Sequence, residues 1–244
     1  MRLRHLFLAI ILSATWPDPA LAQAEAASQA QPGAEAAFKL ATLVVPDDLA
    51  DIEVRRAREA IYAGFRADEG LVELENEYPG LHDAMWHAVE PILRDYSAKS
   101  GPGLVARLRD LYAARLSREE IDAFIAFYST PTGKRLIRTV YENADYAPFV
   151  EAGLADRATT AEDIGRVQQS ARAAVAESLT EADRAALEEL VRSISLTKAN
   201  ALSAEIRQIT ADWLNEPDPE MDALIEEAVV SAAERHMAKV SSGD

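Results

Sequence analysis

Two runs of apolar residues constrain this chain more than anything else in it. Val105, Leu108, Leu111, Tyr112 and Leu116 recur at offsets 0, 3, 6, 7 and 11, and Ile121, Phe124, Ile125 and Tyr128 recur at 0, 3, 4 and 7. Each run is one apolar stripe at helical period, so each segment must lay one face on a core. Between them, Ser117-Arg118-Glu119-Glu120 has the form of a capping box, in which the serine hydroxyl accepts the amide three residues on and Glu120 reaches back. Thr130-Pro131 then ends or bends the second helix, because the residue before a proline avoids the α region. A further helix follows, with Leu136, Ile137, Val140 and Tyr141 inward.

The same style runs through the chain. Asp47 or Asp48 caps a segment to about Arg66, a second covers Leu71 to Tyr78, and Pro79-Gly80 stops it. A third runs from Leu81 to about Ser97, with Pro91 as a kink, and Gly101-Pro102-Gly103 punctuates before a new helix that Pro102 is suited to start. Towards the C-terminus, Val167, Ala171 and Val175 lead to a weaker cap at Thr180-Glu181-Ala182-Asp183. Leu187, Leu190 and Ile194 follow, then Leu202, Ile206, Ile209 and Trp213. The two capped segments at Leu116 and Leu179 look alike enough to raise an internal duplication. Strand-type alternation is missing. The expected fold is all-α, a multi-helix bundle of antiparallel helical hairpins, with roughly seven to nine helices.

The N-terminus reads as an address. Arg2, Arg4 and His5 precede the apolar run Leu6 to Leu12, and Ala20-Leu21-Ala22 supplies a small-x-small cleavage site. Residues 1–22 are therefore expected to be a cleaved Sec-type signal peptide, with cleavage after Ala24 as the alternative, and the destination is the periplasm or the exterior. Residues 23–45 read as a flexible leader, because Gln23 to Ala37 holds no large apolar residue. Residues 46–244 are the helical domain, with one hairpin at 104–141 and further hairpins at 160–240. No later stretch is long and apolar enough to anchor the mature chain stably in a membrane.

Composition removes whole classes of function. Of 244 residues, 25 are Lys or Arg and 41 Asp or Glu, a formal charge of −16. That balance opposes nucleic acid and anionic lipid surfaces as partners. The absence of cysteine removes disulfides, thiolate metal sites and a cysteine nucleophile.

The stretch from Leu111 to Ile137 resembles the bacterial family called domain of unknown function 2059. The matching features are Tyr112, Leu116-Ser117, Glu120, Phe124, the pair Phe127-Tyr128, and Thr130-Pro131-x-Gly133 followed by the basic Lys134. The likeness covers about 40 residues from Leu104 to Tyr141. It implies an all-helical exported protein of Gram-negative bacteria and implies no reaction. Read from the residues, the signature is a packing device: three aromatic rings bring large buried area, and Thr130-Pro131-x-Gly133 turns a sharp corner. The alternative is an anion site made by Lys134, Arg135 and Arg138 with the free amides of the new helix.

Other candidate chemistry is thin. His82 and His87 share a helix but point too far apart to chelate one ion. Ser195-Leu196-Thr197-Lys198 has the Ser-x-x-Lys pattern without its Ser-Asp-Asn and Lys-Thr-Gly partners. Gly101-Pro102-Gly103 follows a helix rather than a strand, so it is no dinucleotide fingerprint. Asp68, Glu73, Glu75 and Glu77 read as a solvated acidic face. No catalytic, cofactor-binding or metal-ligating residue is assigned. The expected function is a non-catalytic protein-interaction or envelope-support module, acting on an unknown protein partner or by self-association, with Leu202 to Trp213 as a possible dimer stripe. The alternative is a carrier of a small apolar ligand in a cavity lined by Trp86, Phe124, Phe127 and Tyr128.

Overall fold

The computed structural model describes residues 33–242 apart from 47 and 193, and leaves the side chains of 154 and 196 aside. The expected signal peptide at 1–22 lies outside the described residues. The described chain is all-helical. Its first four helices are α1 (Gly33–Leu43), α2 (Leu49–Ala67), α3 (Glu69–Glu77) and α4 (Leu81–Arg115). Then come α5 (Arg118–Tyr128), α6 (Pro131–Glu142) and α7 (Ala147–Leu154). The last four are α8 (Ala161–Ser178), α9 (Glu181–Arg192), α10 (Leu196–Leu214) and α11 (Pro219–Ser242). Eleven helices exceed the seven to nine that periodicity suggested, and no strand occurs among the described residues.

Two expectations need correcting. Part of the leader expected at 23–45 is helix: α1 buries Ala36, Ala37, Leu40 and Ala41 against α4 and α5. The physical reason is size. A face of alanines around one leucine carries little hydrophobic signal, yet it lets helices approach closely, and alanine costs no side-chain entropy when buried. Residues 23–32 lie outside the described residues. The second correction concerns Gly101-Pro102-Gly103. Helix α4 runs through it, and through Pro91, for 35 residues. Both prolines lie on exposed positions, where water can satisfy the carbonyl that each leaves without an amide. Buried Trp86, Val89 and Leu93 before the break and Leu104 and Leu108 after it hold the helix on course.

At 1.5 Å per residue, α4 is about 52 Å long, and it joins two apolar cores. Its first half packs Trp86, Val89 and Leu93 against Val54, Ala57 and Ile61 of α2 and Ile225 of α11. Its second half packs Leu104, Leu108, Leu111 and Tyr112 into the larger core, which also takes residues from α1, α5, α6, α8 and α10. Polar ties close the outer layers. Asn215 accepts the Thr159 amide at 2.9 Å and donates to the Thr159 carbonyl at 2.7 Å. Arg56 donates to the Ala144 carbonyl at 3.1 and 2.6 Å.

Candidate functional site

The capping box forms as the residue types require. Ser117 accepts the Glu120 amide at 3.3 Å, and Glu120 accepts the Ser117 amide at 2.6 Å. Glu120 also receives the ammonium of Lys198 from α10, so one carboxylate fixes the start of α5 and ties it across the fold. Ser195 caps α10 by accepting the Lys198 amide at 3.3 Å. The Ser-x-x-Lys pair is thus engaged as a cap and an ion pair.

The corner between α5 and α6 follows from Thr130-Pro131-x-Gly133. Thr130 accepts the Gly133 amide at 3.0 Å and donates to the Phe127 carbonyl at 2.6 Å, with Pro131 in the first turn where its missing amide costs nothing. Gly133 is obligatory for a different reason. A Cβ there would stand 2.3 Å from the Phe127 carbonyl oxygen and 2.6 Å from the Tyr128 Cα. The two helix backbones therefore meet at a distance no side chain allows.

The basic residues after the corner are committed to carboxylates. Arg135 donates to Asp183 at 2.5 Å, and Arg138 pairs with Asp48 at 2.7 Å and Glu142 at 2.8 Å. Lys134 is exposed. The alternative anion site at this helix start is therefore replaced by ion pairs that join elements. Asp48 spends its carboxylate on Arg138 and leaves α2 without a side-chain cap.

Asp183 holds α9 in place. Its carboxylate accepts the Thr180 amide at 2.9 Å, the Thr132 hydroxyl at 3.1 Å and Arg135. Thr180's hydroxyl and amide, then Arg135, hold this carboxyl well below the usual carboxylate range. A parallel arrangement stands at Thr160-x-x-Asp163, which sequence reading missed. Burial would push Asp163 up, but two bonds from Arg157, one from Arg166 and those from Thr160 outweigh it and hold the group far down.

Inside this frame lies a cavity of about 810 Å³. One wall is the signature segment: Tyr112 of α4, Leu116, and Phe124 and Tyr128 of α5, whose rings stack 6.2 Å apart. Leu40 of α1 joins them, while Leu187, Leu190 and Val191 of α9 and Leu202 and Ile206 of α10 form the facing walls. Charged groups sit around the apolar lining: Arg172 of α8, Arg184, Glu188 and Arg192 of α9, and Arg207 of α10. Arg184, Glu188 and Arg192 are exposed, so the α9 side meets solvent. The Tyr112 hydroxyl is buried and makes no hydrogen bond among the described residues. Burial pushes the Tyr112 phenol well up; for Tyr128 burial acts first and Tyr112 second. Both are neutral donors at any ordinary pH.

The expected cavity thus differs from the observed one. Phe124 and Tyr128 line it. Trp86 stands in the other core and donates to Glu90 at 3.1 Å, and Phe127 packs edge-on against Tyr128 at 5.1 Å between ring centres. The dimer stripe from Leu202 to Trp213 is also spoken for, because Leu202, Ile206 and Trp213 are buried in the larger core. His82 and His87 share α4. His82 is buried 3.5 Å from Glu75, and His87 reaches the Asp83 carbonyl at 2.7 Å. Glu75 is a structural cap rather than a solvated charge: it accepts the Gly80 and His82 amides at 2.7 and 2.8 Å. Among the described residues no cluster of three His, Asp or Glu side chains is arranged to hold a metal.

Sequence reading also passed over Glu53, a fully buried carboxylate that accepts the Ser97 hydroxyl at 2.5 Å. Burial first and Glu53 second push the Tyr141 and Tyr146 phenols up. The signal was present, since Glu53 falls on the apolar face with Leu49 and Ala57. Arg172 and Arg207 were likewise readable as cations beside the stripe residues Ala171 and Ile206.

The model of a family described as an uncharacterized protein conserved in bacteria (DUF2059) matches residues 104–141, the segment that carries the resemblance. No curated protein and no solved structure matches the chain. The matched segment is the second half of α4, the capping box, α5, the glycine corner and most of α6. It contributes the aromatic wall of the cavity and the arginine that holds α9 over it.

Proposed function

We propose that this chain is an exported, non-catalytic carrier of a small, largely apolar ligand held between α4, α5, α9 and α10. The observation that carries the reading is the cavity of about 810 Å³ itself, walled by Leu40, Phe124, Tyr128, Leu190, Leu202 and Ile206. Small-molecule sites are mostly apolar clefts of roughly 300–1,000 Å³ with a few placed polar groups. Export rests on the n-region, apolar run and Ala20-Leu21-Ala22 of the N-terminus, and places the mature chain in the periplasm or outside the cell. The exposed large apolar residues Phe38, Leu74, Leu224 and Val230 lie on three separate helices, which gives the partner-protein reading less to stand on.

The test is binding of an uncharged fluorescent apolar probe, N-phenyl-1-naphthylamine, to the full mature chain. Saturable one-to-one binding is expected. It should be lost in Ala199→Phe, which fills the cavity from a half-buried lining position. Probe binding unchanged in that variant, with its thermal unfolding also unchanged, would move the ligand elsewhere and overturn the reading.

A further inference from the structure

Helix α9 is the outer wall of the cavity, and it is held unlike its neighbours. Helix α5 buries Ile121, Phe124, Phe127 and Tyr128, and α10 buries Leu202, Ile206, Trp213 and Leu214. Of the twelve described residues of α9, Asp183 and Leu190 alone are buried. Leu187 and Val191 on its inner face are half-buried and line the cavity. The two ends of α9 are fastened differently. At the C-terminal end the fastening is apolar: Leu190 and Ile194 sink into the larger core, and just beyond them the Lys198 ammonium ties α10 to Glu120 of α5. At the N-terminal end it is polar. The Asp183 carboxylate accepts the Thr132 hydroxyl at 3.1 Å and Arg135 at 2.5 Å, and both donors belong to α6. The stretch that leads in from α8 holds little, since Glu177, Ser178 and Thr180 are exposed and Leu179 is partly buried. Local opening costs least where few apolar contacts break.

We propose that α9 is a latched lid: it swings from the cavity about Leu190 and Ile194 when Asp183 leaves Thr132 and Arg135, and a ligand enters and departs by that route. This rests on the carrier reading above and adds how its site is reached. The latch is built to break without stranding a charge. Asp183 keeps the amide and hydroxyl of Thr180 at the start of its own helix, at 2.9 and 2.7 Å, and opening adds water to them. Arg135 is already exposed, so its guanidinium returns to solvent. Opening α9 uncovers little apolar surface that does not already face the hollow, whereas moving α5 or α10 would strip a buried row from the core. Both donors to the latch follow directly from the corner at Thr130-Pro131-Thr132-Gly133, which aims the first turn of α6 at α9. Lids of this kind sequester a bound molecule and set the rate at which it leaves.

The experiment is hydrogen exchange of the full mature chain, joined to the binding kinetics of N-phenyl-1-naphthylamine. A twelve-residue helix released from its support is marginal in water, so opening lets its amides exchange. The amides of α9 should exchange well ahead of those of α5 and α10. Arg135→Gln removes the charged half of the latch and leaves the Thr180–Asp183 cap in place. It should speed exchange in α9 by about tenfold, the size of one charge-assisted bond, and leave α5 and α10 as they were. An ion pair that serves stability alone would speed all three helices together or none, and either result overturns the lid. In the same variant the probe should bind and leave about tenfold faster with its Kd little changed. Faster exchange in α9 with unaltered probe rates would place the ligand's route elsewhere and overturn the proposal. Should Arg135→Gln fail to fold, the unaltered chain decides: α9 exchanging in step with α5 and α10 contradicts a lid. A chain that binds no probe removes the carrier reading, and the exchange comparison still decides whether α9 opens alone.

Discussion

Tyr112 carries a polar group that the fold leaves unused. Its ring is fully buried, but its hydroxyl makes no bond among the described residues. Removing an unsatisfied buried hydroxyl without changing shape is neutral or favourable. Tyr112→Phe is therefore expected to leave the unfolding free energy unchanged or raise it by up to about 1 kcal/mol. Urea titration checks this. A loss beyond about 1 kcal/mol would show that the hydroxyl has a partner in the free protein. Gly133 makes the opposite kind of demand. Adding a Cβ drives it into the backbone of Phe127 and Tyr128, so Gly133→Ala should cost about 1–3 kcal/mol or more by overpacking, measured the same way.

At the scale of elements, much of the design was legible in the sequence. The stripes at 105–116 and 121–128, the capping box and the threonine-proline corner are local patterns, and local patterns survive folding unchanged. What was not legible depends on partners far away in sequence. Periodicity cannot say that α9 will lie over the aromatic face of α5, or that Arg135 will find Asp183. Nor can it say that the α1 alanines bury, because small residues pattern weakly whichever way they face. Pro102 was misread because its usual role is at helix starts, whereas here packing on both sides carries the helix through.

That difference is measurable. In a helix interior a proline costs about 3 kcal/mol relative to alanine, so Pro102→Ala should stabilise the chain by about 1–3 kcal/mol. If a helix began at Pro102 the same change would bring no gain, and would cost about 0.4–1 kcal/mol through the unfolded chain. Denaturant midpoints separate the two.

The acid sensitivity of the fold also belongs to elements, because Asp163 and Asp183 hold the starts of α8 and α9. Both carboxyls are held below their unfolded value of about 3.9. The unfolded chain therefore binds protons first as pH falls. The stabilisation is complete above about pH 5 and is lost as pH falls through 3.9 toward the lower native values. Urea midpoints should fall between pH 7 and pH 3, and Asp163→Asn with Asp183→Asn should narrow that gap. An equal gap in the double variant would assign acid sensitivity to other groups.

At the scale of the whole molecule, α4 divides the labour. Its first half belongs to a core with α2 and α11, and its second half to the larger core that surrounds the cavity. The matched segment, residues 104–141, occupies only the cavity side. What the signature residues have in common is then physical: Tyr112, Phe124 and Tyr128 face the cavity, Phe127 backs them, Glu120 caps α5, and Pro131 and Gly133 set the corner from which Arg135 reaches α9.

The central claim is that the cavity holds a ligand, and native mass spectrometry of the protein taken from its own cells tests it most directly. The account predicts a chain that begins at Gln23 or Glu25 and carries a constant excess mass of one small ligand, lost on collisional activation. A bare chain, with Ala199→Phe indistinguishable from the unaltered protein, would contradict it.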